Sequence, residues 1–367
     1  MKDYLGSAIA EEEKELPYKS LGLQRNPFPG TPVPEDEPTF LFARGTVAEE
    51  VAKRIVRAIR ERDPQHFVVL GQYGSGKSHI LKYFKHEINA RFFPEGKSVA
   101  AYVNHPGKNF QEFYRNLIEG LSLDFFGSLY RRFEDVEKQD SNGQRRPELL
   151  NVLKAAAADT DSRFTAWQWL QGNRQGRLDL EKLGIGYSNH DADRQLETLA
   201  SLLTVFNQTG PSSLVIFLDE FEELTTLRSD FQTTYLNHLR RLIDISKNQV
   251  LLVVSATPEG FDVIRTGGHA LVRRLAVTQY VLEPLTPDET WDLIRGYLEL
   301  ASTSPGAAAS IIDRGSSDEI QRIMEGRVSE IVRACHDLIE SARSRKLAKI
   351  DPVSVRQLIP GSERPGA

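Results

Sequence analysis

The chain has 367 residues, 40% hydrophobic and 26% charged, the balance of an ordinary globular protein with room for two or three structural units. Its formal net charge of −5 gives no general pull toward nucleic acid, so any DNA contact has to come from a local patch. One cysteine, Cys335, excludes an intrachain disulfide and fits a reducing cytosol; it lies in the helical pattern Ile331 to Leu338 and reads as a packing residue. No apolar run approaches membrane-spanning length and the first residues carry no signal-peptide core, so the expected location is the cytoplasm, away from membranes.

Residues 1–45 are rich in Pro and Gly, as in Asn26-Pro27-Phe28-Pro29-Gly30. They read as an extended arm lying over the domain, or in their first part as a disordered tail, with Phe40, Leu41 and Phe42 as apolar anchors. A helical pattern follows, Val47, Val51, Ile55 and Ile59 recurring every four residues. Five short apolar runs (67–70, 98–103, 213–218, 250–254 and 279–282) separated by helical stretches predict a parallel sheet covered on both faces, a three-layer α/β/α domain. Between the second and third runs the interval is too long for one crossover helix, so about 107–211 reads as a helical insertion where specificity lives, and 134–146 as an exposed excursion from it. After Leu285 the strands stop. Thr286-Pro287-Asp288-Glu289 is a capping box opening a helix to about Leu300; others are expected to start at Ser316, to span 328–345, and to start at Asp351-Pro352. The predicted organisation is an arm (1–45), an α/β domain (46–285), an all-helical unit (286–360) and a tail (361–367).

Gly71, Gln72, Tyr73, Gly74, Ser75, Gly76, Lys77 and Ser78 match G-x-x-x-x-G-K-S/T between the first apolar run and a helical pattern. Glycines let several backbone N–H groups converge on one anion, and the helix N-terminus adds its dipole. In this reading Lys77 reaches the β- and γ-phosphates of ATP, Ser78 sets its hydroxyl on Mg²⁺, and His79 completes the nucleotide-binding set. The third apolar run ends in Asp219 and Glu220: Asp219 joins Ser78 around Mg²⁺, and Glu220 orients and deprotonates the attacking water. A phosphotransferase generally needs no such base, so the pair favours a Mg²⁺-dependent ATPase over a small-molecule kinase. Ser255 and Thr257, after the fourth run, are candidates to sense the terminal phosphate, the alternative being that they begin the turn Thr257 to Gly260. Arg273 and Arg274 are candidates to reach a neighbouring subunit's γ-phosphate, the alternative being two solvated basic residues. His79, His86, His105, His190 and His336 show no metal-ligand spacing.

Together these residues resemble an AAA+ ATPase of the initiator-like group, which includes origin-recognition, TnsC-type and ExeA-type ATPases. Leu21-Gly22-Leu23, Asn26-Pro27-Phe28 and Phe40 to Phe42 are similar to the start of the ExeA type. The segments Phe164 to Gly172, Leu183-Gly184-Ile185 and Asp219 to Glu222 are similar to ATP-binding proteins of BREX-type phage-defence systems. The resemblance implies Gly71–Ser78 as Walker A, Leu214–Glu220 as Walker B, Thr257 ahead of Ser255 as sensor 1, Arg273/Arg274 as arginine finger and 286–360 as the lid. It also implies strand order 5-1-4-3-2, ATP between the sheet domain and the lid, and subunits packed side by side around the nucleotide. Two departures stand out. Where many relatives carry Gly-Asn-Pro-Arg, this chain has Gly326-Arg327-Val328-Ser329, with serine at the sensor 2 position and Arg327 and Arg333 as the arginines nearby. The winged helix that initiators append after the lid is expected to be absent, which weakens an autonomous origin-recognition role.

The expected function is an ATP-driven switch that homo-oligomerises through its nucleotide interface within a DNA-associated multi-protein machine of phage defence, transposition or replication-type regulation. Other protein subunits are the expected partners and double-stranded DNA a candidate one, through Arg145 and Arg146 or through Arg343, Arg345, Lys346 and Lys349. The alternative is an ATPase scaffold or signalling component with protein partners only.

Overall fold

The computed structural model describes residues 18–30, 38, 40–41, 43–137, 147–158, 161–267, 269–275, 277–304, 306 and 308–359. The chain divides into two compact units: one holds Val47–Gly71 and Lys77–Val281, the other the described residues up to Thr46, Gln72–Gly76 and those from Leu282 onward.

The first unit is built on a five-stranded sheet of β1 (Phe67–Gly71), β2 (Val99–Val103), β3 (Leu214–Leu218), β4 (Val250–Ala256) and β5 (Gln279–Leu282). Its order is β2-β3-β4-β1-β5, the expected 5-1-4-3-2 read from the other edge, and β2/β3, β3/β4 and β4/β1 pair in parallel. Every residue of β1, β3 and β4 is buried. A strand covered on both faces has no solvent side to alternate toward, which is why these segments read as continuous apolar runs. The insertion forms the helices Phe110–Leu121, Leu123–Glu137, Pro147–Ala157, Asp161–Leu170, Arg177–Leu183 and Ala192–Thr209. They share one apolar core with the sheet, Phe113, Leu117, Trp169 and Phe206 packing in the same cluster as Val103 and Ile216. Two polar groups carried into that core are paired: Trp169 Nε1 donates to the Tyr187 carbonyl at 2.9 Å, and Asn189 Nδ2 to Tyr114 Oη at 2.8 Å. Most of the expected excursion 134–146, with Arg145 and Arg146, lies outside the described residues.

His66 ties the entry of β1 to β4, its Nδ1 accepting the Leu252 N–H at 3.1 Å. An accepting nitrogen carries no proton, and burial, then the charge of Arg274, lowers the ring's pKa from 6.5 to about 4. The unfolded chain therefore takes up a proton that the folded one refuses. This stability is present above pH 6.5 and is lost as pH falls toward about 4, by at most ~3 kcal/mol. Urea midpoints measured at pH 7.5 and 5 are expected to separate more for the wild type than for His66→Gln, whose amide oxygen can accept the same bond without titrating.

In the second unit Thr286 forms the expected capping box with Glu289 and opens the helix Pro287–Ala301. The helix expected to start at Ser316 starts earlier. It spans Arg314–Met324, because Asp313 accepts the Ser316 N–H at 2.9 Å and caps the chain three residues before Ser316. Ser316 instead points inward and donates to the Ile350 carbonyl at 2.9 Å. The helices Val328–Ser344 and Pro352–Leu358 follow. The described part of the arm is docked on this unit: Leu21, Leu23 and Phe28 belong to its apolar core, and Phe28 and Phe40 pack on Tyr297 with ring centroids 5.1 and 5.3 Å away. Asn26 Nδ2 donates to Glu340 Oε1 at 2.8 Å and to the His336 carbonyl at 3.1 Å, which fixes the Asn-Pro-Phe turn on the helix Val328–Ser344. Cys335 is fully buried in the same core, where burial pushes its thiol pKa up. Among the described residues no helix is long and apolar enough to cross a membrane.

Candidate functional site

β1 ends at Gly71, and the helix Lys77–Arg91 begins six residues later. Between them Gly74 and Gly76 take φ values of 75° and 94°, a region in which side chains other than glycine's are strained. A Cβ at Gly76 would meet nothing within 4 Å, so that side of the loop is open, whereas one at Gly74 would lie 2.1 Å from Ser329 Oγ. Ser329, the residue at the expected sensor 2 position, also donates its backbone N–H to the Gly74 carbonyl at 3.0 Å. Ser75 Oγ is buried with no hydrogen-bond partner among the described residues, a donor available to an anion. Gln72 and Tyr73 are exposed, while Ser78 and His79 are half-buried in the helix's first turn. Arg327 is paired with Glu325 and with Glu330 at 2.6 Å, and Arg333 is exposed.

Arg44 was not singled out in the sequence. It is buried, and its guanidinium donates to the Ser75 carbonyl at 3.1 Å and to the Glu283 carbonyl, bracing the loop from the residue just before the first long helix. Burial lowers its pKa, opposed by Glu289 and Glu283. A lone arginine at the end of an irregular arm gives no signal of such a contact.

On the sheet side, Lys77 is only 7% exposed and donates to the Gly71 carbonyl at 2.7 Å. Burial lowers its pKa, and the carboxylates of Glu222, Asp219 and Glu220, in that order, work to keep it charged. Asp219, 1% exposed, directly follows β3 with both oxygens engaged. Oδ1 accepts from the Glu220 N–H at 3.0 Å and from Ser255 Oγ; Oδ2 accepts from Tyr102 Oη at 2.6 Å. Tyr102, on β2, is further hydrogen-bonded to the Ser78 side chain, so one phenol joins the start of the loop helix to the end of β3. Glu220 is exposed and held left-handed at φ 52°, ψ 39°. Partial burial, then the hydrogen bond and charge of Glu223, raise its carboxyl pKa to about 7. A strained backbone and a carboxyl poised near neutrality in one residue are features that cluster at functional sites.

The two hydroxyls after β4 separate. Ser255 is fully buried against Asp219, whereas Thr257 caps the helix Pro258–Thr266 by accepting the Gly260 N–H at 3.2 Å. Arg273 and Arg274 lie on the short helix Ala270–Leu275, both exposed, with Arg274 paired to Asp244 at 3.1 Å. Among the described residues no three His, Cys, Asp or Glu side chains gather as a self-sufficient metal site. Mg²⁺ bound with phosphates needs only one or two carboxylates. The Ser78 and Asp219 oxygens, joined through a single side chain, fit that requirement.

A parallel sheet in this order, with a glycine-rich phosphate loop leaving β1 and an acidic pair leaving β3, defines the AAA+ class of P-loop ATPases. The profile of the BREX system ATP-binding protein BrxC/D family matches residues 141–340, more than half of the chain, and the chain belongs to that family. The match takes in Asp219 and Glu220 and begins after the phosphate loop. No curated protein matches the sequence. Similar solved structures include the Aeropyrum pernix ORC2 protein in its ADPNP–ADP complexes, at 14% identity and a TM-score of 0.58 over 92% of this chain and 72% of that one. Its ADP form gives 13% and 0.52 over 89% and 70%, and the A. pernix ORC1 protein in complex with DNA gives 17% and 0.51 over 89% and 67%. At these identities the likeness is one of fold.

Proposed function

We propose that this chain is a cytoplasmic, Mg²⁺-dependent ATP hydrolase that assembles around its nucleotide and switches a DNA-associated phage-defence machine. The observation that carries the reading is the side-chain link from Ser78 through Tyr102 to Asp219, which holds the two metal-side oxygens of a phosphate-loop ATPase in one network. In this reading Gly71 to His79 hold the triphosphate, Ser75 Oγ and Lys77 meet its phosphates, and Ser78 and Asp219 hold the metal. Mg²⁺, when bound, neutralises phosphate charge and polarises the terminal phosphoryl group. Glu220, with its pKa near 7, takes the proton of the attacking water. Ser255 keeps Asp219 aimed and is the better-placed sensor, with Thr257 as cap; Arg273 and Arg274 act on a neighbouring subunit's nucleotide, and 286–360 serve as lid.

The switch is tested by the mass distribution of the purified protein with ATP and Mg²⁺. Wild type is expected to form oligomers that Arg273→Ala/Arg274→Ala reduces to monomers, and to bind duplex DNA with an affinity that falls as salt rises. A protein that stays monomeric, with turnover per molecule independent of concentration, contradicts the assembly reading. Oligomers that ignore DNA at all salt concentrations point to protein partners only.

A further inference from the structure

Tyr102 projects from β2 beside β3, where its backbone partner is Phe217, two residues before Asp219. Its hydroxyl contacts Asp219 Oδ2 at 2.6 Å and the Ser78 side chain. Simple hydrogen-bond chemistry fixes the direction of both bonds. A carboxylate only accepts, so the phenol proton goes to Asp219; the phenol oxygen then offers only lone pairs, so the Ser78 hydroxyl must donate to it. Ser78 thereby spends its one proton on Tyr102 and keeps its own lone pairs for whatever approaches from the other side. Asp219 Oδ2 is held by the same phenol while Oδ1 is held by Ser255 and the Glu220 N–H.

We propose that Tyr102 is a positioning residue for the divalent cation: it turns the Ser78 lone pairs and the Asp219 carboxylate toward one metal ion. The inference rests on the ATPase reading and adds to it the residue that prepares its metal side. The Lys82 ammonium lies 5.4 Å from the ring centroid, a contact that phenylalanine at 102 would keep. Partners of this kind typically change metal affinity by 10- to 100-fold when removed.

The test is binding of a fluorescent ATP analogue, titrated with Mg²⁺ and repeated in EDTA, for wild type, Tyr102→Phe and Tyr102→Met. Both variants are expected to need about tenfold more Mg²⁺ for half-saturation, while their affinity in EDTA stays within about twofold of wild type. A purely structural role would weaken binding equally with and without metal. That equal loss, or a folded variant with wild-type Mg²⁺ dependence, overturns the assignment. A wild-type protein that binds no nucleotide, or binds it indifferently to Mg²⁺, sinks the ATPase reading instead, so the two failures are distinguishable.

Discussion

Replacing Lys77 by alanine is expected to lower ATP turnover by at least about 100-fold and to weaken ATP binding strongly, while the protein stays folded. The electrostatics of the site give the reason. Lys77 is the cation that Glu222, Asp219 and Glu220 act on together, and it sits at the N-terminal end of the helix that leaves the phosphate loop. Without it three carboxylates face an incoming triphosphate with only the loop amides to oppose them, and like charges at close range disfavour binding. The structural cost includes the hydrogen bond to the Gly71 carbonyl, worth about 1 kcal/mol. Phosphate release and binding of an ATP analogue check this, with circular dichroism confirming the fold. Turnover within threefold of wild type would remove Lys77 from the site.

Glu220→Gln separates binding from hydrolysis. Turnover is expected to drop by about 10² to 10⁴-fold, the contribution of a positioned general base, with ATP affinity kept or improved because one negative charge is gone. The pH dependence supplies a sharper signature. A base has to be ionised to accept a proton, and the Glu220 pKa is raised to about 7, so wild-type turnover should fall about tenfold per pH unit below that value and level off above it. The residual turnover of the glutamine variant should lack this limb. A limb that persists in the variant assigns the titration to another group, and Glu220 would then not be the base.

The sheet was legible because β1, β3 and β4 are covered on both faces, which leaves a continuous apolar run as their only stable composition. The loop between β1 and its helix was legible because its two positive-φ positions require glycine, and the helix at Pro287 because Thr286 and Glu289 satisfy each other locally. What escaped depends on partners distant in sequence. Tyr102 reads as one more residue of an apolar strand until the register with β3 brings it to Asp219, 117 positions away. Arg44 meets Ser75 across 31 residues of chain. The sequence puts Thr257 ahead of Ser255, but β4 runs to Ala256, beyond the expected end at 254. Those two added residues put the Ser255 hydroxyl on the strand, facing Asp219, and leave Thr257 as the first residue off it, free in conformation to cap the next helix. At Ser316 two capping patterns compete, and Asp313 takes the cap because Ser316 is drawn inward to the Ile350 carbonyl.

In the proposed site the loop from Gly71 to Ser78 holds a triphosphate, with Asp219 toward its metal and Glu220 toward its terminal phosphate. A crystal structure of Glu220→Gln grown with ATP and Mg²⁺ tests it most directly. Phosphate density is expected against the amides of Gly74 to Ser78 and the Lys77 ammonium, with Mg²⁺ held by the Ser78 hydroxyl and the Asp219 carboxylate. An empty loop at saturating ATP, or nucleotide bound elsewhere with Asp219 remote from its metal, would contradict it.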